Sequence, residues 1–198
     1  MKKIIFASNN QGKIREVKDM LADPDVEVLS MKEAGLDMDI EENGTTFQQN
    51  ALIKARAVWN ETHELTIADD SGLEIDWMNG EPGVYSARFM GHDTSYDVKN
   101  AAILEKMKDV KGIDRSARFV CAMAAILPDG REITTRGTME GVIADKIQGS
   151  NGFGYDPILY LPEYGKTSAQ LTEEEKNKIS HRGEALRELV RELKLLGV

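Results

Sequence analysis

Two adjacent aspartates follow a short apolar run in the first half of this chain. The segment Leu65–Ala68 is typical of a buried strand, and Asp69, Asp70 and Ser71 come directly after it. Burying a carboxylate costs free energy unless a positive charge meets it. In open α/β sheets, the edge at which strands end is also where ligands bind. The pair is therefore a candidate for holding a metal ion and activating water, although Asp and Ser also favour a plain turn.

A second pair of acids, Glu41 and Glu42, precedes a predicted helix over residues 46–61. Alone, the pair is typical of a solvated acidic turn. Together with Asp69-Asp70 it offers carboxylates from two segments, which with phosphate oxygens make the all-oxygen environment that Mg²⁺ prefers. The spacing does not decide which glutamate would meet the metal. Lys54 lies further along the same helix, on a polar face where most lysines are simply solvated.

A polar loop lies between the first predicted strand, residues 2–7, and a helix carrying Ile14, Val17 and Leu21 at helical spacing. The first turn of a helix has unpaired N–H groups and the positive end of the helix dipole, and both suit phosphate. Ordinary helix capping explains the same residues. The glycine and lysine spacing is not that of a Walker-type loop. The loop consists of Ser8, Asn9, Asn10, Gln11, Gly12 and Lys13.

A glycine-rich segment over residues 149–157 is too rich in aromatics for a minimal turn. Glycines let a backbone approach a flat ligand closely. Phe153 or Tyr155 could stack on a nucleobase, and Asp156 could accept a hydrogen bond from a ring N–H. The alternative is a wide hairpin loop without a ligand.

Three cationic or titratable side chains, Lys176, His181 and Arg182, come near the start of the last predicted helix, residues 180–195. Positive charge at a helix N-terminus is unfavourable because of the helix dipole. The placement is easier to understand if a ligand that carries acceptors meets these residues.

Composition limits the possible functions. The 198 residues suggest one domain, residues 1–198, with room for two lobes. The net charge of −9 argues against binding a nucleic acid polymer, because that affinity comes largely from Lys and Arg. No apolar run approaches the roughly 18 residues that cross a bilayer, so we expect no membrane partner. The single cysteine, Cys121, fits a reducing compartment and is expected to pack in the core.

The elements that must position these residues indicate an α/β fold. The chain opens in the order strand, loop, helix, strand. Residues 115–127 form the longest strand candidate, and both of its faces are apolar, so both faces are expected to be covered. Residues 131–144 are predicted to return beside it as a hairpin partner.

Six segments in register over essentially the whole chain resemble the inosine/xanthosine triphosphate pyrophosphatase family of the Ham1 type. No single segment decides this, but the six together are specific. They are Ala7–Lys13, Glu41–Phe47, Ala68–Leu73, Pro82–Arg88, Gly152–Pro157 and Ser180–Gly183.

The resemblance implies an elongated mixed β-sheet flanked by helices, two lobes with a central substrate cleft, and a cytoplasmic homodimer. The implied reaction is Mg²⁺-dependent hydrolysis of ITP, dITP or XTP to the monophosphate and pyrophosphate. By position, Asp70 would be the general base and a metal ligand, and Glu41 a second metal ligand. The implied or candidate substrate-binding residues are Ser8 to Lys13, Lys54, Ser71, Phe153, Gly154, Tyr155, Asp156, Lys176, His181 and Arg182.

Two other functions remain open from the sequence. A nucleotide-binding sensor without turnover is disfavoured by the intact acid pairs, because a sensor need not keep a water-activating acid. A hydrolase of canonical triphosphates is disfavoured only mildly, by His181 and Arg182, whose donors suit a 6-oxo group better than an amino group.

Overall fold

The computed structural model describes residues 2–198, which form a mixed seven-stranded sheet flanked by helices. The predicted α/β fold class is therefore confirmed. The strands are β1 (Lys2–Phe6), β2 (Val26–Ser30), β3 (Thr66–Ile75), β4 (Ser116–Ile126), β5 (Glu132–Ile143), β6 (Leu159–Leu161) and β7 (Lys166–Thr167). The α-helices are α1 (Gln11–Met20), α2 (Phe47–Thr62), α3 (Tyr96–Lys106), α4 (Glu173–Ile179) and α5 (His181–Leu195).

The strand order in the sheet is β2-β1-β3-β4-β5-β6-β7. Strand β1 pairs in parallel with both β2 and β3, whereas β6 is antiparallel to β5 and β7. In the parallel pair β1–β3, Phe6 lies opposite Ile67. Strand β1 ends at Phe6, whereas β3 continues past Ile67, so the Ser8–Lys13 loop that follows β1 lies beside Asp69.

The chain divides into two compact units. Unit 1 comprises the described part of Met1–Asp70, together with Cys121–Gly137 and Arg182–Val198. Unit 2 comprises Ser71–Val120 and Thr138–His181. Each unit has its own apolar core, and each is described separately below.

Unit 1 has a core on each face of its strands, because successive strand residues point to opposite faces. Phe6 and Ile67 belong to the core that also contains Val17 of α1 and Leu189 of α5. Ile5 and Ala68, their neighbours along the strands, belong to the core covered by α2. The buried stripe of α2 consists of Phe47, Ala51, Ala55 and Val58. Strand β4 is buried on both faces, as its apolar pattern predicted.

Side chains cap the helices that carry the candidate site of unit 1. The side chain of Asn10 accepts a hydrogen bond from the Lys13 N–H at the start of α1. The side chain of Thr46 accepts from the Gln49 N–H at the start of α2. Such caps satisfy N–H groups that have no partner within the helix and fix where the helix begins.

The prediction that a strand ends at Asp69 was wrong. Strand β3 runs from Thr66 to Ile75, so both aspartates lie in the middle of a buried strand. Two buried acids in a strand are normally costly. Here positive side chains of other elements meet them, so the backbone continues as a strand where composition alone favoured a turn.

Unit 2 has one core, which contains Leu73 and Ile75 of β3 with Ile103 of α3 and Phe119 of β4. A capping box is present at Thr172, where α4 begins. Within residues 2–198, no helix has the length and apolar character that a membrane crossing requires.

Candidate active site

Asp69 is the central charge of unit 1. Its side chain is fully buried, and its Oδ2 atom lies 3.1 Å from the Lys13 ammonium and 3.1 Å from both Nε and Nη2 of Arg182. Burial by itself would raise the pKa of this carboxyl. The charges of Lys13 and Arg182 outweigh burial, so the pKa of Asp69 lies well below its usual range and the side chain is ionised.

Arg182 lies in the first turn of α5 and is only 1% exposed. Besides Asp69, its Nη1 atom forms a hydrogen bond with the carboxylate of Glu16 on α1. The sequence suggested that a ligand supplies acceptors to the cations at this helix N-terminus. For Arg182, the acceptors that the structure shows are carboxylates of the protein, which offset the unfavourable helix dipole. Its predicted contact with the nucleobase stays a prediction.

The Ser8–Lys13 loop combines both functions considered for it from the sequence. Asn10 caps α1, and the Ser8 Oγ atom accepts from the Asn10 N–H at 3.2 Å. Helix α1 begins with Gln11 and Gly12, and N–H groups in this first turn have no acceptor inside the helix. The Lys13 ammonium adds a positive charge on the same turn. Capping therefore coexists with the arrangement that suits an anion.

Asp70 lies next to Asp69 but has different partners. Its Oδ2 atom accepts from Asn50 Nδ2 at 3.0 Å, and its Oδ1 atom lies 3.9 Å from the Lys54 ammonium. Burial raises the pKa of Asp70 above its usual range, because Lys54 and Lys13 only partly compensate for lost hydration. A carboxylate with a raised pKa is a stronger base than one in water.

Lys54 is buried rather than solvated, and it joins the two acidic segments. Its ammonium lies 3.0 Å from Glu42 Oε2 as well as 3.9 Å from Asp70. Burial would lower the pKa of Lys54, but the charges of Asp69 and Asp70 raise it above the usual value. The carboxylates of Glu42 and Asp70 thus already share one cation.

The two neighbouring glutamates, Glu41 and Glu42, differ in burial and in their contacts. Glu42 is half-buried and paired with Lys54, whereas Glu41 is exposed. Two carboxylates that share an ammonium form a donor set that fits a hard divalent cation, with further oxygens supplied by water or a phosphate. Within residues 2–198, no three His, Cys, Asp or Glu side chains form a metal-binding group.

Gly44 secures the connection between the acidic loop and Asp70. The Gly44 N–H donates to Asn50 Oδ1 at 2.8 Å, while the amide of Asn50 donates to Asp70. A Cβ atom at position 44 would lie 2.6 Å from Asn50 Oδ1, so any larger residue would displace this bridge.

In unit 2, hydrogen bonds to the buried Asp156 fix the predicted base-binding loop. Asp156 is buried, and it accepts from the Phe153 N–H at 2.8 Å, from Ser168 Oγ at 2.7 Å and from the Lys176 ammonium at 2.7 Å. The Lys176 ammonium also lies 4.9 Å from the centre of the Phe153 ring. Asp156 and Lys176 therefore form an internal ion pair that fixes the loop. Their predicted contacts with substrate stay predictions.

The aromatic residues of the same loop differ in exposure. Tyr155 is buried, donates from its hydroxyl to the Ser86 carbonyl at 2.7 Å, and packs edge-on against Tyr96. Phe153 and Gly154 are half-buried. The ring of His181 lies 5.0 Å from that of Phe119. Within this loop, Phe153 is thus the aromatic ring that is accessible for stacking.

Comparison with known proteins gives the chain its family. The model of the Ham1 family matches residues 4–192. The chain belongs to the Ham1 family. It is 44% identical over 200 residues to a protein of Clostridium perfringens named dITP/XTP pyrophosphatase, with 98% of each chain covered. It is 46% identical over 185 residues to a protein of the same name from Desulforamulus reducens, with 93% and 92% covered.

Solved structures agree with this membership. The Ham1 protein of Staphylococcus aureus matches with a TM-score of 0.86 at 44% identity, and 98% of each chain is covered. The HAM1 protein of Coxiella burnetii matches with a TM-score of 0.87 at 40% identity, covering 98% of this chain and 99% of that one. The resemblance stated from the six segments is therefore confirmed.

Two side chains of this Ham1-family protein were missed by the sequence analysis. Glu16 is a buried acid on an amphipathic helix, and its position one turn after Lys13 was the only available signal. Asn50 is buried within α2, one residue before Ala51 of the apolar stripe. Asn50 could have been recognised as a site residue because it is a polar residue on the buried side of a helix, and buried amides require hydrogen-bond partners.

We predict opposite effects on stability when each aspartate is replaced by asparagine. Asp69→Asn leaves the buried Arg182 without its main counter-charge, and breaking a buried ion pair in this way costs about 3–5 kcal/mol. Asp70→Asn removes a carboxylate whose raised pKa shows that its ionised form is unfavourable in the fold, so stability should stay equal or increase. Urea unfolding at neutral pH without nucleotide or Mg²⁺ measures both. Equal losses in the two variants would contradict these assignments.

Proposed function

We propose that this protein hydrolyses the noncanonical purine nucleoside triphosphates dITP, ITP and XTP to the monophosphate and pyrophosphate. The observation that carries the proposal is the pair Asp69-Asp70, in which one acid is held by cations and the other, with a raised pKa, lies beside Lys54 and Glu42. Relatives more than 40% identical over nearly the whole chain are named dITP/XTP pyrophosphatase, which supports the same reaction.

The triphosphate would bind at the start of α1. The N–H groups of Gln11 and Gly12, together with the helix dipole, favour phosphate oxygens. The Lys13 ammonium adds a positive charge on this turn, and Ser8 adds a hydroxyl. The Lys54 ammonium adds a second positive charge beside Asp70. Asn9 and Ser71 are further proposed contacts, on the basis of the family resemblance.

Asp70 would act as the general base. Hydrolysis to pyrophosphate requires water to attack the α-phosphorus while pyrophosphate leaves. The Asn50 amide fixes the Asp70 carboxylate by a hydrogen bond to Oδ2, so Oδ1 can orient and deprotonate the water. Asp69 cannot take this role as readily, because its lowered pKa makes it a weak base.

Glu42 and Asp70 would hold the Mg²⁺ ion. When bound there, the ion would neutralise charge that develops on the phosphate oxygens and help to position the water. The contacts of Lys54 with both carboxylates support Glu42 over Glu41 as the second ligand. Lys54 would then move its ammonium toward phosphate oxygens.

Recognition of the base is proposed for unit 2. Phe153, fixed by the ion pair of Asp156 and Lys176, would stack on the purine. Donors that face a 6-oxo group, from His181 and from backbone N–H groups near Gly154, would favour hypoxanthine and xanthine. Adenine would leave these donors unpaired, and unpaired buried donors account for strong discrimination.

We further propose, on the family resemblance, that the protein is a homodimer and acts in the cytoplasm. The single buried cysteine agrees with a reducing compartment. A sensor without turnover is the competing function, and it would not need the water-activating acid Asp70.

A substrate panel tests the proposal. ITP, dITP, XTP, ATP and GTP are incubated with the protein and Mg²⁺, and pyrophosphate release is measured beside a reaction without protein. We expect rapid release from the first three nucleotides and at least about a hundredfold lower kcat/KM for ATP, since one site with mismatched donors can discriminate by 10²-fold or more. Binding of ITP without turnover would favour the sensor instead.

We predict that Glu42→Gln, and not Glu41→Gln, weakens the response to Mg²⁺. Loss of one carboxylate ligand should raise the Mg²⁺ concentration for half-maximal ITP turnover at least about tenfold, which corresponds to about 1.4 kcal/mol. Glu41→Gln removes the same charge one residue away, from an exposed side chain, and serves as the matched control. If Glu41→Gln gives the larger shift, Glu41 is the ligand and the assignment to Glu42 fails.

A further inference from the structure

A buried chain of ion pairs connects Glu16 to Lys13 through two other side chains. Glu16 contacts Nη1 of Arg182, Arg182 contacts Oδ2 of Asp69, and the same Oδ2 atom lies 3.1 Å from the Lys13 ammonium. Three of the four side chains are at least nine-tenths buried, and Lys13 is the most accessible. The reaction proposed above uses Lys13 but assigns nothing to Glu16.

We propose that Glu16 is a positioning residue for the triphosphate: it fixes the Arg182 guanidinium so that Asp69, and through Asp69 the Lys13 ammonium, stays at the phosphate-binding turn. The inference rests on the proposed function, because it gives Lys13 a triphosphate to bind. It assigns to Arg182 a role at the phosphate end of the substrate.

The geometry of the guanidinium supports this role. Nε and Nη2 both point at one carboxylate oxygen of Asp69, and Nη1 points at Glu16. A planar guanidinium with three nitrogens engaged by two carboxylates has little freedom to rotate. Without the carboxylate of Glu16, the guanidinium would lose the contact that fixes Nη1.

The position of Glu16 on the helix couples it to Lys13. Residues three apart on an α-helix lie on the same face, so Lys13 and Glu16 both face the pair of Asp69 and Arg182. Helix α1 is thus attached to β3 through Lys13 and to α5 through Glu16. A shift of either contact would move the first turn of α1, which carries the N–H groups of Gln11 and Gly12.

The sharing of Asp69 explains why Lys13 remains available to a ligand. Lys13 and Arg182 divide the charge of a single carboxylate oxygen, so neither pairing is exclusive. Arg182 can keep Asp69 neutralised when the Lys13 ammonium turns toward phosphate. This requires the guanidinium to stay in place, which is the task assigned to Glu16.

Two conservative variants distinguish whether Glu16 acts through the position of its carboxylate oxygen or through its negative charge. Glu16→Asp keeps the charge but shortens the side chain by one methylene, and Glu16→Gln keeps the length and one acceptor oxygen but removes the charge. The readouts are the inhibition constant of inorganic triphosphate and the KM and kcat for ITP, at fixed free Mg²⁺ and below the measured melting temperature. Asp19→Asn, an exposed acid on the same helix, is the control.

We expect Glu16→Asp to raise both the inhibition constant and KM about tenfold, with kcat lowered less than threefold. Glu16→Gln should raise them less than threefold, and Asp19→Asn should leave them unchanged. A larger effect of Glu16→Gln than of Glu16→Asp, or unchanged constants in both variants with only a lower melting temperature, would overturn the proposal. If the wild-type protein does not turn over ITP, the proposed function fails, and the role of Glu16 fails with it because it rests on that function. If the wild type is active and the variants are unaffected, only the role of Glu16 is refuted.

Discussion

The contact between the buried Asp69 carboxylate and the two cations Lys13 and Arg182 is the interaction on which unit 1 depends. It allows a strand to carry two consecutive acids through an apolar core, which would otherwise be prohibitively costly. It also connects three elements, because Lys13 belongs to α1, Asp69 to β3 and Arg182 to α5. The first turn of α1 is thereby fixed beside the acidic centre of β3.

The alternation of a β-strand explains why two neighbouring acids have different environments. Asp69 points to the face covered by α1 and α5, where it meets Lys13 and Arg182 and lies 3.9 Å from the Cys121 sulfur. Asp70 points to the face covered by α2, where it meets Asn50 and Lys54. One acid is therefore ionised and held by cations, while the other keeps a raised pKa. A single dipeptide thus supplies both a structural charge and a candidate base.

The parts of the fold that rest on local patterns could be predicted from sequence. Helix α2 was predicted over residues 46–61 and is observed at Phe47–Thr62, and the loop that contains Asn10 was recognised as able to cap α1. The end of the strand at Asp69 was predicted wrongly, because Asp and Ser next to a glycine favour a turn unless distant cations compensate. Those cations come from residues 13 and 182, and no local pattern connects positions so far apart. Glu16 was missed for the same reason, whereas Asn50 interrupts the buried stripe of α2 and carried a local signal.

Asp70 is proposed to act on water while the rest of the site binds the nucleotide, and replacing Asp70 by asparagine separates the two roles. Asparagine at position 70 can still accept from the Asn50 amide but cannot take a proton. Turnover and equilibrium binding of ITP are measured for Asp70→Asn and wild type, with binding followed in Ca²⁺ to suppress hydrolysis. We expect a loss of at least about 10²-fold in kcat, with a dissociation constant within about tenfold of wild type. Near-normal turnover by the variant would contradict it.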